Sequence, residues 1–188
     1  MPLDLRPDGR LEFEDVAGLF ASTSLNHGLV GMTIRQVAYI FGLARRSGAR
    51  KAIEIGRWRG GTTIALAAGL GPGGKLWSID VGEKEARVFP GRPPAFVGDA
   101  RTLEVDTGEV DLVLIDGDHT YEGARSDFER FGRRVRVGGG VLLDDAFDEP
   151  FFPTHSDTVG RLVAEIAAEG TFALEAQVDR LAHLVRRH

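Results

Sequence analysis

Two short acidic stretches carry the side chains best suited to chemistry. Asp116, Asp118 and His119 follow the apolar run Leu112-Val113-Leu114-Ile115, and Asp144-Asp145 follows the apolar run Val141-Leu142-Leu143. An apolar run that stops abruptly in acids and a histidine reads as a buried parallel strand, and open α/β sheets bind ligands at the carboxyl ends of their strands. If the two strands are neighbours, Asp116, Asp144 and Asp145 converge with the His119 imidazole, an arrangement that asks for a cation or a substrate. Carboxylate oxygens are hard donors suited to Mg2+ or another divalent cation, with the remaining positions left to water and substrate. Without a cation, three carboxylates so close would repel, and at least one would hold its proton to higher pH. His119, three residues after Asp116, is placed to take a proton at neutral pH as a general base. The plainer alternatives are that one aspartate caps a loop while another orients substrate, and that His119 caps the next helix. Asp118 reads as a loop or helix-start residue.

A second set of groups lies upstream. Glu54-Ile55-Gly56-Arg57-Trp58-Arg59-Gly60-Gly61-Thr62-Thr63 carries a strand into a helix. Gly56 and Gly60 let the backbone turn tightly and approach a ligand, and the helix N-terminus offers unpaired amides. Asp80 closes Trp77-Ser78-Ile79, where a carboxylate can accept both hydroxyl protons of a ribose. Asp99, in Val97-Gly98-Asp99-Ala100, falls at the next strand end.

The elements that must position these groups follow from apolar spacing. Runs at 51–55, 76–80, 95–98, 111–116, 141–143, 172–178 and 181–185 read as strands. Helical spacing marks Ile34, Val37, Ala38 and Phe41, then 62–68, 121–134, and Val159, Leu162, Val163 and Ile166. The alternation implies a parallel sheet with right-handed crossovers, and the tight Asp179-Arg180 connection implies a closing antiparallel hairpin. The proline-rich crossover holds at most a brief helix around 83–89. Residues 1–31 show little periodicity and read as an arm or lid, leaving 32–188 as one domain.

The acid-glycine-x3-glycine pattern at Glu54, Gly56 and Gly60 resembles the first motif of class I S-adenosylmethionine-dependent methyltransferases. The segment Ile115-Asp116-Gly117-Asp118-His119-Thr120-Tyr121-Glu122-Gly123, with Gly138-Gly139-Gly140 ahead of the fifth strand, resembles a small-molecule O-methyltransferase family within it. The resemblance implies a Rossmann-like α/β fold: a seven-stranded, mostly parallel sheet with an antiparallel C-terminal strand and helices on both faces. It implies that S-adenosyl-L-methionine is bound through Glu54, Gly56, Gly60, Asp80, Asp99, Ala100 and Asp116, with Asp99 and the Ala100 amide at the adenine. It further implies a small-molecule hydroxyl acceptor such as a sugar, polyketide or catechol. In metal-dependent relatives, from catechol-type to macrolide-sugar O-methyltransferases, the matching positions carry an aspartate and then an acidic pair or an aspartate-asparagine pair, which Asp116, Asp144 and Asp145 fit. Many closer relatives carry His-Asp where Asp144-Asp145 stand. Trp58, Arg57 and Arg59 would touch the methionine end of the cofactor or face solvent; His155 and His27 read as surface histidines or as pocket and arm residues.

Composition narrows the alternatives. The 188 residues include no cysteine, which excludes thiolate metal sites and cysteine nucleophiles and fits a reducing, cytoplasmic setting. The net charge of −5 argues against a nucleic-acid partner. No apolar run approaches the roughly 20 residues of a membrane span. An NAD(P)-dependent oxidoreductase would share the fold class, but there is no G-x-G-x-x-G, and neither Tyr39 nor Tyr121 has lysine four residues later. A non-catalytic S-adenosylmethionine-binding module shares the cofactor residues and would have no use for the acidic cluster. So short a chain leaves few residues for a specific pocket, and a homo-oligomer would supply a missing wall.

Overall fold

The computed structural model describes residues 10, 12–16, 20, 30–81, 95–97, 99–148 and 156–188. Its strands are β1 Lys51–Ile55, β2 Lys75–Asp80, β3 Ala95–Val97, β4 Val110–Ile115, β5 Val135–Leu143, β6 Phe172–Val178 and β7 Leu181–Arg186. They form one sheet in the order β3-β2-β1-β4-β5-β7-β6. Strands β1 to β5 pair in parallel, while β7 runs antiparallel to both neighbours, as expected of a chain that closes in a hairpin.

Side-chain alternation along the strands splits the core into two layers. Ile53 and Ile55 of β1, Val113 and Ile115 of β4, and Val141 and Leu143 of β5 join Phe128, Phe131, Leu162 and Ile166 on one face. Ala52, Leu112, Leu114 and Leu142 join Val37, Ile40, Ala65 and Leu66 on the other. Helices α4 Tyr121–Arg130 and α5 Arg161–Ala168 cover the first face, and α2 Ile34–Arg46 and α3 Gly61–Leu70 the second. Thr33 starts α2 with a reciprocal capping box to Gln36, and the Thr120 hydroxyl accepts the Gly123 amide to start α4. α1 Phe13–Val16 packs beside α2, with the Phe13 ring edge-on to Phe41 at 5.8 Å and Glu12 paired with Arg45.

Several boundaries differ from the sequence reading. β5 begins at Val135 and takes Gly138-Gly139-Gly140 into the strand, because its register on β4 shifts between Val110 and Leu112 and glycine tolerates the bulge, Gly138 sitting at φ 76°. α4 stops at Arg130 and continues as a 3₁₀ turn, Gly132–Arg134. Ile34 is exposed at the first position of α2, so the buried stripe is Val37, Ile40, Phe41 and Ala44. A π turn, Ser156–Gly160, precedes α5. The brief helix expected at 83–89 and most of the arm or lid assigned to 1–31 lie outside the described residues. Among the described residues, no helix is long and apolar enough to cross a membrane.

Candidate functional site

The carboxyl ends of β1, β2, β4 and β5 open into a cavity of about 630 Å³. Gly56, Asp80, Asp99, Ala100, Asp116, His119, Asp144 and Asp145 line it; Glu54 and Gly60 do not. The Gly56 backbone, at φ 87°, runs so close to β4 that a Cβ would fall 1.8 Å from the Asp116 carbonyl oxygen, which makes glycine obligatory there. Gly60 takes a left-handed conformation at the N-cap of α3.

Glu54 lies behind the cavity lining. Its position on β1 turns it toward α3, fully buried, where Oε2 accepts the Thr63 and Ser78 hydroxyls, both at 2.5 Å. Burial pushes its carboxyl up to about 7 against those two hydrogen bonds. In this structure Glu54 ties β1 to β2 and to the start of α3 and shapes the site from beneath.

One end of the cavity is built by the β2 and β3 termini. Asp80 Oδ2 accepts the Trp58 amide at 2.8 Å, and Trp58 holds a left-handed backbone at φ 45°, rare for a bulky residue and frequent where a loop is shaped for function. Arg57 and Trp58 line the cavity; Arg59 does not, its guanidinium lying 4.8 Å from the Trp58 ring centre. Asp99 receives Arg101 Nη2 at 2.6 Å, Arg101 Nε at 2.9 Å and the Arg101 amide at 2.9 Å. Hydrogen bonds from the Arg101 side chain and amide hold the Asp99 carboxyl down at about 2.

The other end brings the acidic stretches together. The Asp116 amide bonds the Ile55 carbonyl at 2.8 Å and the Asp144 amide bonds the Ile115 carbonyl at 3.0 Å, so each parallel ladder extends one residue past its strand. Asp144 is buried, and its Oδ1 accepts Gln36 Nε2 at 2.5 Å. Asp145 takes a left-handed backbone, φ 58°, and places Oδ2 3.5 Å from His119 Nδ1. Into this cluster comes Arg180, itself buried, whose Nη1 is in direct contact with Asp145 Oδ1 and whose Nη2 lies 3.8 Å from Asp144 Oδ2. Burial, then Asp145, pushes Asp144 up to about 6, with Arg180 and Gln36 pulling the other way. Burial and the charges of Asp144, Asp145 and Glu54 drive Asp116 well above the usual carboxylate range.

The residues expected to hold a divalent cation do not fit one. Among the described residues, no group of three or more His, Cys, Asp or Glu side chains is arranged to hold a metal ion. Asp144 and Asp145 spend their oxygens on Gln36, His119 and Arg180, and a guanidinium stands between them. Asp116, Asp144 and Asp145 converge on one cavity, and the Arg180 guanidinium lies beside the last two.

Arg180 is the functional residue that the sequence reading passed over as a turn. The signal lay in the hairpin itself. β7 pairs antiparallel with β5 at Leu143↔Ala182, so its preceding turn must sit beside Asp144-Asp145, and the Ala146 amide bonds the Arg180 carbonyl at 2.9 Å. Asp118 lines the cavity while its Oδ1 accepts the Thr120 amide at 2.9 Å. Asp127 was also missed; it is buried against the cavity on α4, and desolvation followed by the charges of Asp118 and Asp99 raises it to about 7. His27 and His155 lie outside the described residues.

Comparison with known proteins places this geometry. An uncharacterized protein, R132, of Acanthamoeba polyphaga mimivirus is 36% identical over 59 residues, which is 31% of this chain and 27% of that protein, so the chain matches about a quarter of that relative. The O-methyltransferase of Bacillus cereus, solved in complex with SAH, shares 23% identity at a TM-score of 0.69, covering 93% of this chain and 90% of that one. MycE, a methyltransferase of the mycinamycin biosynthetic pathway solved with Mg, SAH and mycinamycin VI, shares 18% identity at a TM-score of 0.65, covering 96% of this chain and 56% of that one. These likenesses establish a common Rossmann-like fold. The model of a methyltransferase domain matches residues 53–146, half of the chain, from the middle of β1 to just past the acidic pair. The chain is therefore a member of the methyltransferase domain family.

Proposed function

We propose that this protein transfers a methyl group from S-adenosylmethionine to a hydroxyl oxygen of a small molecule. The observation that carries the reading is one cavity lined at one end by Asp80, Asp99 and Ala100 and at the other by Asp116 and His119. A ribose would donate its hydroxyls to the Asp80 carboxylate, and an adenine amino group would donate to Asp99 beside the Ala100 amide. In the tautomer that carries its proton on Nδ1, His119 turns that proton toward Asp145 Oδ2, 3.5 Å away, and leaves Nε2 to take the acceptor's proton. The acceptor oxygen then bonds to the methyl carbon as the carbon–sulfur bond breaks, and that electron pair stays on sulfur to give the neutral thioether. Asp116, which holds its proton more readily than an ordinary carboxyl, supplies a hydrogen bond to the acceptor oxygen.

SAH in the B. cereus enzyme and in MycE supports the choice of methyl donor, and the O-methyltransferase description of the former supports oxygen as acceptor. The MycE complex also holds Mg. Because the acidic cluster here is already paired with Arg180, no step of this mechanism is assigned to a metal. A sugar, polyketide or catechol hydroxyl satisfies the site equally. Calorimetric titration of S-adenosylmethionine, followed by labelled-methyl transfer over a panel of hydroxylated acceptors with and without magnesium, tests the reading. Saturable binding with label in an acceptor supports it. Tight binding with no transfer to any acceptor favours a non-catalytic binding module instead.

A further inference from the structure

We infer that Arg180 is the resident cation of this site: its guanidinium balances Asp144 and Asp145, the adjacent acids that would otherwise call for a divalent metal, and methyl transfer here needs no added metal. The inference rests on the methyl-transfer reading for its catalytic consequence and on geometry alone for the placement of charge.

Buried carboxylates need a counter-charge, and a guanidinium with a planar fork of donors satisfies two acids at once. Arg180 meets that need from the far end of the chain, within 3.8 Å of Asp144 and in direct contact with Asp145. Its position is fixed by the fold. The turn that carries it is fastened to α2 by Thr33 Oγ1, which donates to Asp179 Oδ2 at 2.6 Å, and by Arg35 at 3.4 Å. The Ala146 amide fastens it to the end of β5 at 2.9 Å. A dication seated between Asp144 and Asp145 would meet a fixed positive charge at close range and would have to expel it.

The arrangement also gives Arg180 a catalytic consequence. Two carboxylates and one guanidinium leave a single negative charge facing the imidazole, and Asp145 is held so that Oδ2 lies 3.5 Å from His119 Nδ1. That charge favours the imidazolium that forms when His119 takes the acceptor's proton. Arg180 is thus a positioning residue that acts through Asp145.

Titration of the full chain with Mn2+, read by electron paramagnetic resonance, tests the placement of charge without any acceptor. Wild-type protein is expected to bind no Mn2+ and, once an acceptor is in hand, to turn over equally in EDTA and in magnesium, where loss of a catalytic metal would cost orders of magnitude. Arg180→Met is expected to gain a bound-Mn2+ signal and to lose roughly 100-fold in kcat in EDTA, with the KM for S-adenosylmethionine little changed. Arg180→Lys is expected to stay free of Mn2+ and to recover part of the rate. Stoichiometric Mn2+ binding by the wild type, or a folded Arg180→Met protein that binds none, overturns the inference. If Arg180→Met does not fold, the wild-type titration still decides. Failure of the wild type to bind S-adenosylmethionine would sink the methyl-transfer reading and leave the Mn2+ result standing on its own.

Discussion

At the β2–β3 end of the cavity the Asp99 side chain is 35% exposed and takes its partner from two residues away, in Arg101. At the β4–β5 end Asp144 is 4% exposed and takes its partners from α2 and from the turn before β7, elements distant in sequence. The first kind of pairing is cheap to exchange, since solvent screens an exposed ion pair and a ligand can replace it. The second cannot be exchanged without stranding a buried charge, a loss of about 3–5 kcal/mol. One end of the cavity is thus open to exchange its partner, and the other holds a fixed field. The division follows from topology, because an acid at the exposed β3 end meets its near neighbours in sequence. An acid at the centre of the sheet meets whatever the closing hairpin brings.

Substitutions at the two ends should separate chemistry from binding. His119→Ala is expected to lower kcat by roughly 10²- to 10⁴-fold, the usual contribution of a positioned general base, and steady-state methyl transfer checks it. A variant that turned over at the wild-type rate would remove His119 from the mechanism. Asp80→Ala is expected to weaken S-adenosylmethionine binding by about 10- to 100-fold, as for a lost hydrogen bond to a charged group, with kcat at saturation much less affected. Asp99→Ala should have the smaller effect on affinity, about 3- to 10-fold, because Asp99 must first share its oxygens with Arg101. An Asp99 effect larger than that of Asp80 would show that the Arg101 pairing is no competitor.

A prediction of a different kind, on stability, concerns Glu54, beneath both ends. Its folded carboxyl keeps a proton up to about 7, whereas an unfolded glutamate loses it near 4.5, so the folded state binds more protons between those values. Stability from this group therefore falls as pH rises from about 4.5 to 7, and above 7 the buried carboxylate carries its full cost, at most about 3 kcal/mol. Glu54→Gln should flatten that part of the melting-temperature profile; an unchanged slope would assign it to Asp127 or Asp144, which are shifted in the same direction.

Much of the site is legible in the sequence because strand ends in a parallel sheet collect on one edge. Asp80, Asp99, Asp116, His119, Asp144 and Asp145 are all found at that edge for this reason. Glu54 is less legible, since strand alternation decides whether a residue faces a cavity or a helix, and one residue of register separates the two outcomes. Arg180 is harder still. Its meaning depends on β7 inserting between β5 and β6, so that the hairpin turn at Asp179-Arg180, though legible as a turn, gains a partner only through the sheet order. Arg101 belongs to the same class, because its two-residue separation from Asp99 makes a bidentate pair only when the turn after β3 closes as it does. The glycines of β5 misled in the opposite direction, standing ahead of the expected strand where a bulge carries it through them.

The most direct test of the division is a calorimetric titration of S-adenosylmethionine into the wild-type, Asp80→Ala and His119→Ala proteins. The account predicts saturable binding to the wild type, the same affinity for His119→Ala, and binding at least about tenfold weaker for Asp80→Ala. No binding to the wild type, or equal losses in the two variants, would contradict it.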